Sequence, residues 1–109
     1  MENKSLFTEF MGESPMIKVL DYLLTERELD FSITDMAENA GIGRATLYRI
    51  WDSLIKNKII LHTRDVGKAR LYKLNTKNEK IKKLIEIYDM LILEELRKQS
   101  ESRKQKIMA

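Results

Sequence analysis

The sequence predicts a mainly α-helical fold that carries one β-hairpin and ends in a long C-terminal helix. Apolar residues recur at helical spacing over most of the first 57 positions, the pattern becomes β-rich between residues 59 and 75, and helical spacing returns after residue 76. The 109 residues suffice for one domain with a modest core and are too few for a barrel or a doubly wound enzyme.

Two helical segments are expected in the N-terminal quarter of the chain. Ser14 and Pro15 are typical of a helix start, because serine can cap the first turn and proline is tolerated at the first helical position. Gly12 separates this helix from an apolar segment, residues 1–12, that should form a turn or a short helix. The apolar side chains of that segment are Leu6, Phe7, Phe10 and Met11.

Two further helices joined by a tight turn should follow a short edge strand at Phe31. Ser32 fits a capping box with Asp35 at the start of a short helix that ends at Ala40, where Gly41 supplies a left-handed exit. The next helix should cover residues 44–57. Its buried stripe is predicted to consist of Leu47, Ile50, Trp51, Leu54 and Ile55.

The pattern after this helix predicts a hairpin. Residues 59–65 and 69–75 are β-rich, and the glycine-containing turn 66–68 joins them. Tyr72 and Leu74 share one face of the second strand, so both should pack on the helices.

A long helix is predicted to follow the hairpin. Thr76 and Glu79 fit a capping box, and apolar residues at helical spacing continue from about Lys77 to near Gln99. Residues 100–109 are expected to be frayed and solvated.

Charge is distributed unevenly along the chain. Residues 1–40 carry three basic and nine acidic side chains, residues 41–84 carry twelve and three, and residues 85–109 carry five of each. The net charge of +3 therefore conceals a strongly basic central block. Such a block is the electrostatic footprint expected of a protein that binds a polyanion.

Composition argues against several classes of function. The chain has no cysteine and one histidine, His62, so we expect no disulfide and no metal site. We find no nucleophile–base pair, phosphate-binding glycine loop or paired carboxylates, so we expect neither catalysis nor a cofactor. No apolar run reaches about 18 residues and the N-terminus lacks a signal-peptide pattern, so a cytoplasmic protein without membrane contact is expected.

The two short helices carry the most specific pattern in the sequence. Helices that cross steeply over a three-residue turn need small side chains where they touch and apolar residues that wedge them together. The positions that meet this need are Met36, Ala37, Ala40, Gly41, Ile42, Leu47 and Ile50. Their spacing resembles the helix-turn-helix of DNA-binding proteins.

With the basic hairpin that follows, the order of elements resembles the winged helix-turn-helix of the MarR and ArsR families of transcription regulators, especially small archaeal-type ones. The segments SITDMAENAGIGRATLYRIW (residues 32–51) and RDVGKARLYKLN (64–75) carry the resemblance, which extends from residue 14 to about 96. Gly43 departs from it, since these families often have a serine there that caps the helix and contacts phosphate.

The resemblance implies that residues 44–57 form the helix that enters the major groove. Arg44 in its first turn can donate two hydrogen bonds to a guanine edge, and Ala45 permits close approach to a thymine methyl. Tyr48 and Arg49 lie one turn further along and can reach bases or phosphates. Trp51 lies on the buried stripe, so we expect it to be a core aromatic rather than a stacking platform for bases.

Contacts to the phosphate backbone are expected around this helix. The hydroxyls of Ser32 and Thr34, at the start of the preceding helix, and of Thr46 can donate to phosphate oxygens. The backbone N–H groups that follow Gly43 remain available to phosphate, and Lys56 adds a cation.

The hairpin is expected to act as a basic wing. Its tip carries Arg64, Lys68 and Arg70, and in a winged helix this tip lies near the adjacent minor groove, where a narrow A·T-rich groove attracts arginine. Asp65 partly offsets this charge and can orient a neighbouring arginine. The alternative is that these charges protect the edge of the sheet against aggregation.

The long helix is predicted to form a homodimer. Two adjoining faces are apolar between residues 81 and 96, more than one small domain can cover, so we expect the same helix of a second copy to cover the rest, with segment 1–12 joining the interface. The interface is assigned to Ile81, Leu84, Ile85, Tyr88, Leu91, Ile92 and Leu96, with Ile87, Met90 and Leu93 extending it. The alternative is a helix buried more deeply in its own domain.

These features divide the chain into a DNA-binding domain, residues 1–75, a dimerisation helix, residues 76–99, and the tail that follows. They predict a sequence-specific, double-stranded DNA-binding transcription regulator that acts as a repressor, its homodimer bound to a pseudo-palindromic site with half-sites about 34 Å apart. The alternative is a winged-helix module that docks on another protein of the transcription machinery.

Overall fold

The computed structural model describes residues 4–108, which form five helices and one three-stranded antiparallel sheet. Along the chain the elements are α1 (Leu6–Met11), α2 (Pro15–Thr25), β1 (Asp30–Phe31), α3 (Ile33–Ala40), α4 (Arg44–Lys56), β2 (Ile60–Val66), β3 (Ala69–Leu74) and α5 (Glu79–Met108). The predicted mainly helical fold with one hairpin and a long C-terminal helix is confirmed. Among the described residues, no helix is both long and apolar enough to span a membrane.

Serine side chains begin the first three helices. The hydroxyl oxygens of Ser5, Ser14 and Ser32 each accept a hydrogen bond from the backbone N–H three residues later, at 3.0, 3.2 and 3.1 Å. Each bond satisfies one of the N–H groups that a helix start leaves without an intrahelical partner. The predicted caps at Ser14 and Ser32 are therefore confirmed.

All five helices and all three strands contribute to a single core. Its buried apolar residues are Phe7, Val19, Leu20, Leu23, Leu24, Phe31, Met36, Ala37, Leu47, Leu54, Ile60, Tyr72, Leu74 and Ile81. The predicted stripe of α4 is corrected at Ile55, whose side chain is exposed. Ile55 lies one residue beyond Leu54 around the helix, at the edge of the face that meets the core.

The sheet places β3 between β1 and β2. Phe31 pairs with Tyr72, which confirms the predicted edge strand, and Tyr72 and Leu74 are both buried as predicted. The ring of Trp51 packs edge-on against Tyr72 at a centroid distance of 4.9 Å. Trp51 is therefore a packing residue, as its position on the stripe of α4 predicts.

The start of α5 corrects the predicted capping box. Asn75 Oδ1 accepts the backbone N–H of Lys77 at 3.2 Å, and this turn delays the helix. Asn78 Oδ1 then accepts the backbone N–H of Lys80 at 2.9 Å, so α5 begins at Glu79 and Thr76 is not its cap. The helix also continues through Met108 where a frayed segment was expected, since no proline or glycine interrupts residues 100–108.

The first half of α5 packs on its own domain. Ile81 is 2% exposed and belongs to the core, and this corrects its assignment to a dimer interface. Leu84, Ile85, Tyr88 and Leu91 are partly buried against the same core. Interactions between side chains hold the middle of the helix: Tyr88 Oη lies 2.6 Å from Thr25 Oγ1, and Arg27 donates two hydrogen bonds to Asp89 at 2.8 and 3.2 Å.

Candidate nucleic-acid interface

The turn between α3 and α4 has the tight geometry that the sequence predicts. Gly41 adopts φ 72° and ψ 35°, a left-handed conformation that favours glycine. The backbone N–H of Ile42 donates to the carbonyl of Ala37 at 3.0 Å, which closes the end of α3. The turn fixes the start of α4 relative to α3.

One long face of α4 is exposed. Leu47 and Leu54 are fully buried, whereas the outward side chains of the first two turns are Arg44, Ala45, Tyr48 and Arg49, all exposed, with Thr46 partly buried. Tyr48 is 51% exposed although it is a large aromatic residue. The predicted division of α4 into a buried and an outward face is therefore confirmed in these turns.

Two of these outward residues contact each other. Arg44 Nη2 donates to Tyr48 Oη at 3.3 Å, across one turn of the helix. The contact restricts the guanidinium and leaves most of its donors available, since arginine carries five N–H groups.

The β2–β3 hairpin, here called the wing, folds so that its tip faces the start of α4. A surface cleft, here called the tip cleft, lies between them and is lined by Ser32, Ile33, Thr34, Arg44, Tyr48, Lys68, Ala69, Arg70 and Tyr72. Six predicted DNA-contacting residues from three separate segments thus meet at one surface. Ser32 accepts the cap hydrogen bond through its oxygen, and its hydroxyl proton remains available for donation.

A β-bulge in β2 places the basic residues of the wing on two opposite faces of the hairpin. The register shifts between His62 and Arg64, so that His62 faces Tyr72 and Asp65 faces Arg70. His62 and Asp65 therefore point the same way, and His62 Nε2 lies 2.7 Å from Asp65 Oδ1. Arg70 Nε lies 3.8 Å from the same carboxylate oxygen, in line with the expectation that Asp65 orients an arginine.

Arg64 occupies the other face of the wing. It donates to both carboxylate oxygens of Asp30 in β1, at 3.0 and 3.3 Å, and Thr63 Oγ1 donates to the same carboxylate at 2.7 Å. These hydrogen bonds, with the positive charge of Arg64, lower the pKa of Asp30 below its usual value. Arg64 therefore links the wing to β1 and does not line the tip cleft.

The remaining predicted contact, Lys56, lies at the opposite end of α4. It lines a second cleft, at the base of the wing, together with Lys58, Lys77 and Lys80. These three lysines were not among the residues predicted to contact DNA. The available signal was the basic central block, which contains all four.

The outer face of α5 presents apolar side chains to solvent. Met90 and Leu93 point away from the core and are 56 and 53% exposed, and Ile87 and Leu96, which are 36 and 55% exposed, flank them on either side of the helix. Ile92 is 37% exposed, and Phe10 on α1 is 65% exposed. The exposed apolar surface therefore lies mainly on residues that were assigned as the extension of the interface.

The sequence matches no protein-family model, and it is similar to no curated protein. The fold is similar to solved structures. NadR, solved in complex with 4-hydroxyphenylacetate, aligns over 94% of this chain and 78% of its own, with a TM-score of 0.63 and 17% identity. MepR, a transcription regulator of the Staphylococcus aureus multidrug efflux pump MepA, aligns over 93% and 81%, with a TM-score of 0.56 and 19% identity.

A mutant of S. aureus MepR bound to an oligodeoxyribonucleotide is also similar, over 93% of this chain and 81% of its own, with a TM-score of 0.56 and 17% identity. These similarities confirm the winged-helix fold that the sequence predicts.

Proposed function

We propose that the protein is a sequence-specific, double-stranded DNA-binding transcription regulator that acts as a homodimer. The observation that carries the proposal is the tip cleft, which joins hydroxyls of α3, Arg44 and Tyr48 of α4, and two cations of the wing. Binding to duplex DNA requires hydrogen-bond donors and cations that reach the phosphates of both strands, and this surface brings such groups together.

Each part of the surface has a distinct role in the proposal. Arg44 and Ala45 enter the major groove first, because they lie in the first turn of α4, and Arg49 lies one turn behind them. Tyr48 positions the guanidinium of Arg44. Lys68 and Arg70 of the wing lie over the adjacent minor groove.

Backbone phosphates are contacted around the edge of this surface. The donors there are the hydroxyls of Ser32, Thr34 and Thr46. The structure offers one further group at Gly43, which precedes α4 and provides no side-chain cap. The first N–H groups of α4 therefore remain available to a phosphate, which the positive end of the helix dipole also attracts.

The second protomer covers the outer face of α5 in this proposal. A helix that exposes Met90 and Leu93 to water, with Ile87 and Leu96 at the two edges of the same surface, is typical of a contact surface. The same helix of a second copy matches it in length and chemistry, and a two-fold axis would close the assembly. Phe10 of α1 extends this interface.

The dimer gives the protein a mode of action. Two tip clefts related by a two-fold axis recognise a pseudo-palindrome whose half-sites lie about 34 Å apart, one helical turn of DNA. A dimer bound across a promoter would exclude other proteins from it, so we propose repression. The similarity in fold to MepR, a transcription regulator, supports the proposal that the protein regulates transcription.

The test begins with selection of binding sites from random duplexes by the purified protein. Arg44→Ala should then weaken binding to the selected site by about 1–3 kcal/mol and relax the preference at one base pair per half-site. Arg103→Ala is the matched control, because it removes the same charge from an exposed position near the end of α5, beyond the proposed interface. Equal losses for the two variants would contradict base reading by Arg44.

The same assay separates the proposal from a module that docks on a protein. A DNA-binding protein retains measurable affinity for unrelated duplex at low salt, and that affinity falls steeply as salt rises. Absence of duplex binding at low salt would favour the protein-docking function, in which Arg44 and Arg49 pair with acidic side chains.

A further inference from the structure

The second cleft, here called the base cleft, is lined by lysine and asparagine alone. It lies where α4 ends, β2 begins and α5 begins, and its cations are Lys56, Lys58, Lys77 and Lys80. In the part of the chain that the structure describes, no carboxylate oxygen lies within 4.0 Å of any of the four ammonium groups. The adjacent Glu79 binds Lys82 instead, at 3.2 Å. Four like charges are thus held close together without a neutralising partner in the domain.

Asparagine side chains hold the backbone beneath these cations. Asn75, which is 8% exposed, donates through Nδ2 to the carbonyl of Lys58 at 2.9 Å. Asn78 donates to the same carbonyl and to that of Asn57, both at 3.1 Å. Lys58 adopts φ 54°, which is uncommon for a residue with a side chain, and the asparagines stabilise that conformation. The backbone of the base cleft is therefore a fixed feature of the fold, from which the lysine side chains extend.

The base cleft and the tip cleft lie at opposite ends of the same elements. Arg44 begins α4 and Lys56 ends it, so the two are about 18 Å apart along the helix axis. Lys68 lies at the tip of the wing, and β2 extends about 20 Å from there to its base. A duplex segment centred on the tip cleft would therefore leave the base cleft exposed.

The lining of the base cleft selects among polyanions. Single-stranded nucleic acids are held by aromatic side chains on which bases stack, and protein interfaces have apolar or aromatic centres. The base cleft offers neither, because its lining consists of ammonium groups and amides. Those groups suit phosphate and sugar oxygens that are presented without exposed bases, as along the outside of a duplex.

We propose that the base cleft binds the backbone of a second duplex DNA segment, so that the protein bridges two segments. This inference rests on the proposed function, because the first segment is the one bound at the tip cleft. Binding at the base cleft is independent of sequence, since it involves phosphates alone.

A two-step capture experiment tests the proposal. An immobilised duplex that carries the selected site is first saturated with the protein, and a fluorescent duplex of unrelated sequence is then added. The test variant is Lys58→Gln/Lys77→Gln/Lys80→Gln, and the control is Lys82→Gln/Lys83→Gln/Lys98→Gln on α5. Both lower the formal net charge from +3 to 0, so a difference between them reports position and not total charge.

The wild-type protein and the control should capture the second duplex, and the test variant should lose most of that capture while it still saturates the first. A plot of the logarithm of the capture constant against the logarithm of salt concentration should have a negative slope. The slope should be shallower by about 3 in the test variant, because each of the three lysines contributes about 0.9. Undiminished capture by the test variant would overturn the proposal, because bridging would then come from the tip clefts of a dimer.

Two further outcomes are decisive. If the wild-type protein saturates the first duplex and captures no second one, bridging is contradicted while the proposed function stands. If it fails to bind the first duplex, the proposed function itself fails at the first step. Polyglutamate and unlabelled duplex are also compared as competitors at equal total charge. If polyglutamate displaces the second duplex more efficiently, the occupant of the base cleft is an acidic protein and not DNA.

Discussion

In both α5 and the wing, side chains of one chemical type divide between a face that holds the domain together and a face that stays available. On α5, Ile81 is 2% exposed in the core, whereas Leu93 is 53% exposed on the outer face. In the wing, Arg64 is bound by Asp30 of β1, whereas Arg70 lines the tip cleft. Residue type therefore indicates which role is possible, and the partners that a side chain meets within the fold decide which role it takes.

The largest effect is expected from the inner face of α5. Ile81→Asp places a carboxylate among apolar side chains that offer it no partner, and it should destabilise the domain by more than the 2–5 kcal/mol typical of removing a large core side chain. Far-UV circular dichroism should show an unfolded or largely unfolded chain at 25 °C. A cooperative thermal transition close to that of the wild type would mean that this end of α5 does not belong to the core.

The outer face of α5 should respond differently to the same kind of change. Leu93→Glu should preserve the helical spectrum and convert dimers into monomers in light scattering, because it places two carboxylates at a desolvated interface. Leu29→Glu is the matched control, since Leu29 is also 53% exposed but lies between α2 and β1. Persistence of the dimer after Met90→Glu is added to Leu93→Glu would contradict an interface on this face.

The sequence predicts the elements whose signals are local. Ser14 and Ser32 begin helices, Gly41 ends one, and the spacing of apolar residues places α4 correctly, because caps, left-handed glycines and helical periodicity act within a few residues. The exposed face of α4 and the burial of Tyr72 follow from the same short-range rules.

Features that depend on distant parts of the fold could not be predicted in this way. The bulge between His62 and Arg64 changes which side chains of the wing share a face, and no residue type marks it in the sequence. The role of Ile81 depends on how far the core extends along α5. The base cleft combines lysines from two segments, residues 56–58 and 77–80, that come together only after folding.

A smaller effect is expected where Arg64 links the wing to β1. Asp30→Asn removes a negative charge, which on electrostatic grounds alone should strengthen binding to DNA. It also removes the paired hydrogen bonds that position the wing, and we expect the net result to be weaker binding to the selected duplex in fluorescence anisotropy. Glu28→Gln is the control, because it removes the same charge from an exposed carboxylate. Glu28 Oε2 lies 3.7 Å from Lys73 Nζ. Tighter binding by both variants would indicate that the pair does not position the wing.

The smallest effect is a dependence of stability on pH that belongs to the same pair. The pKa of Asp30 is lowered in the folded protein, chiefly by the hydrogen bond from Arg64, so the unfolded chain takes up the proton first as the pH falls. The stabilising contribution of the pair is therefore complete above the ordinary aspartate pKa of 3.8 and is lost as the pH falls below it, through the lowered value.

Urea unfolding between pH 3 and 6 checks this dependence. The difference in the free energy of unfolding between the wild type and Asp30→Asn should be constant above about pH 5. That difference should shrink in more acidic solution, and Arg64→Gln should give the same profile because either change removes the pair. A difference that stays constant over the whole range would show that the carboxylate is not held by the wing, and Arg64 would then join Arg70 among the cations available to DNA.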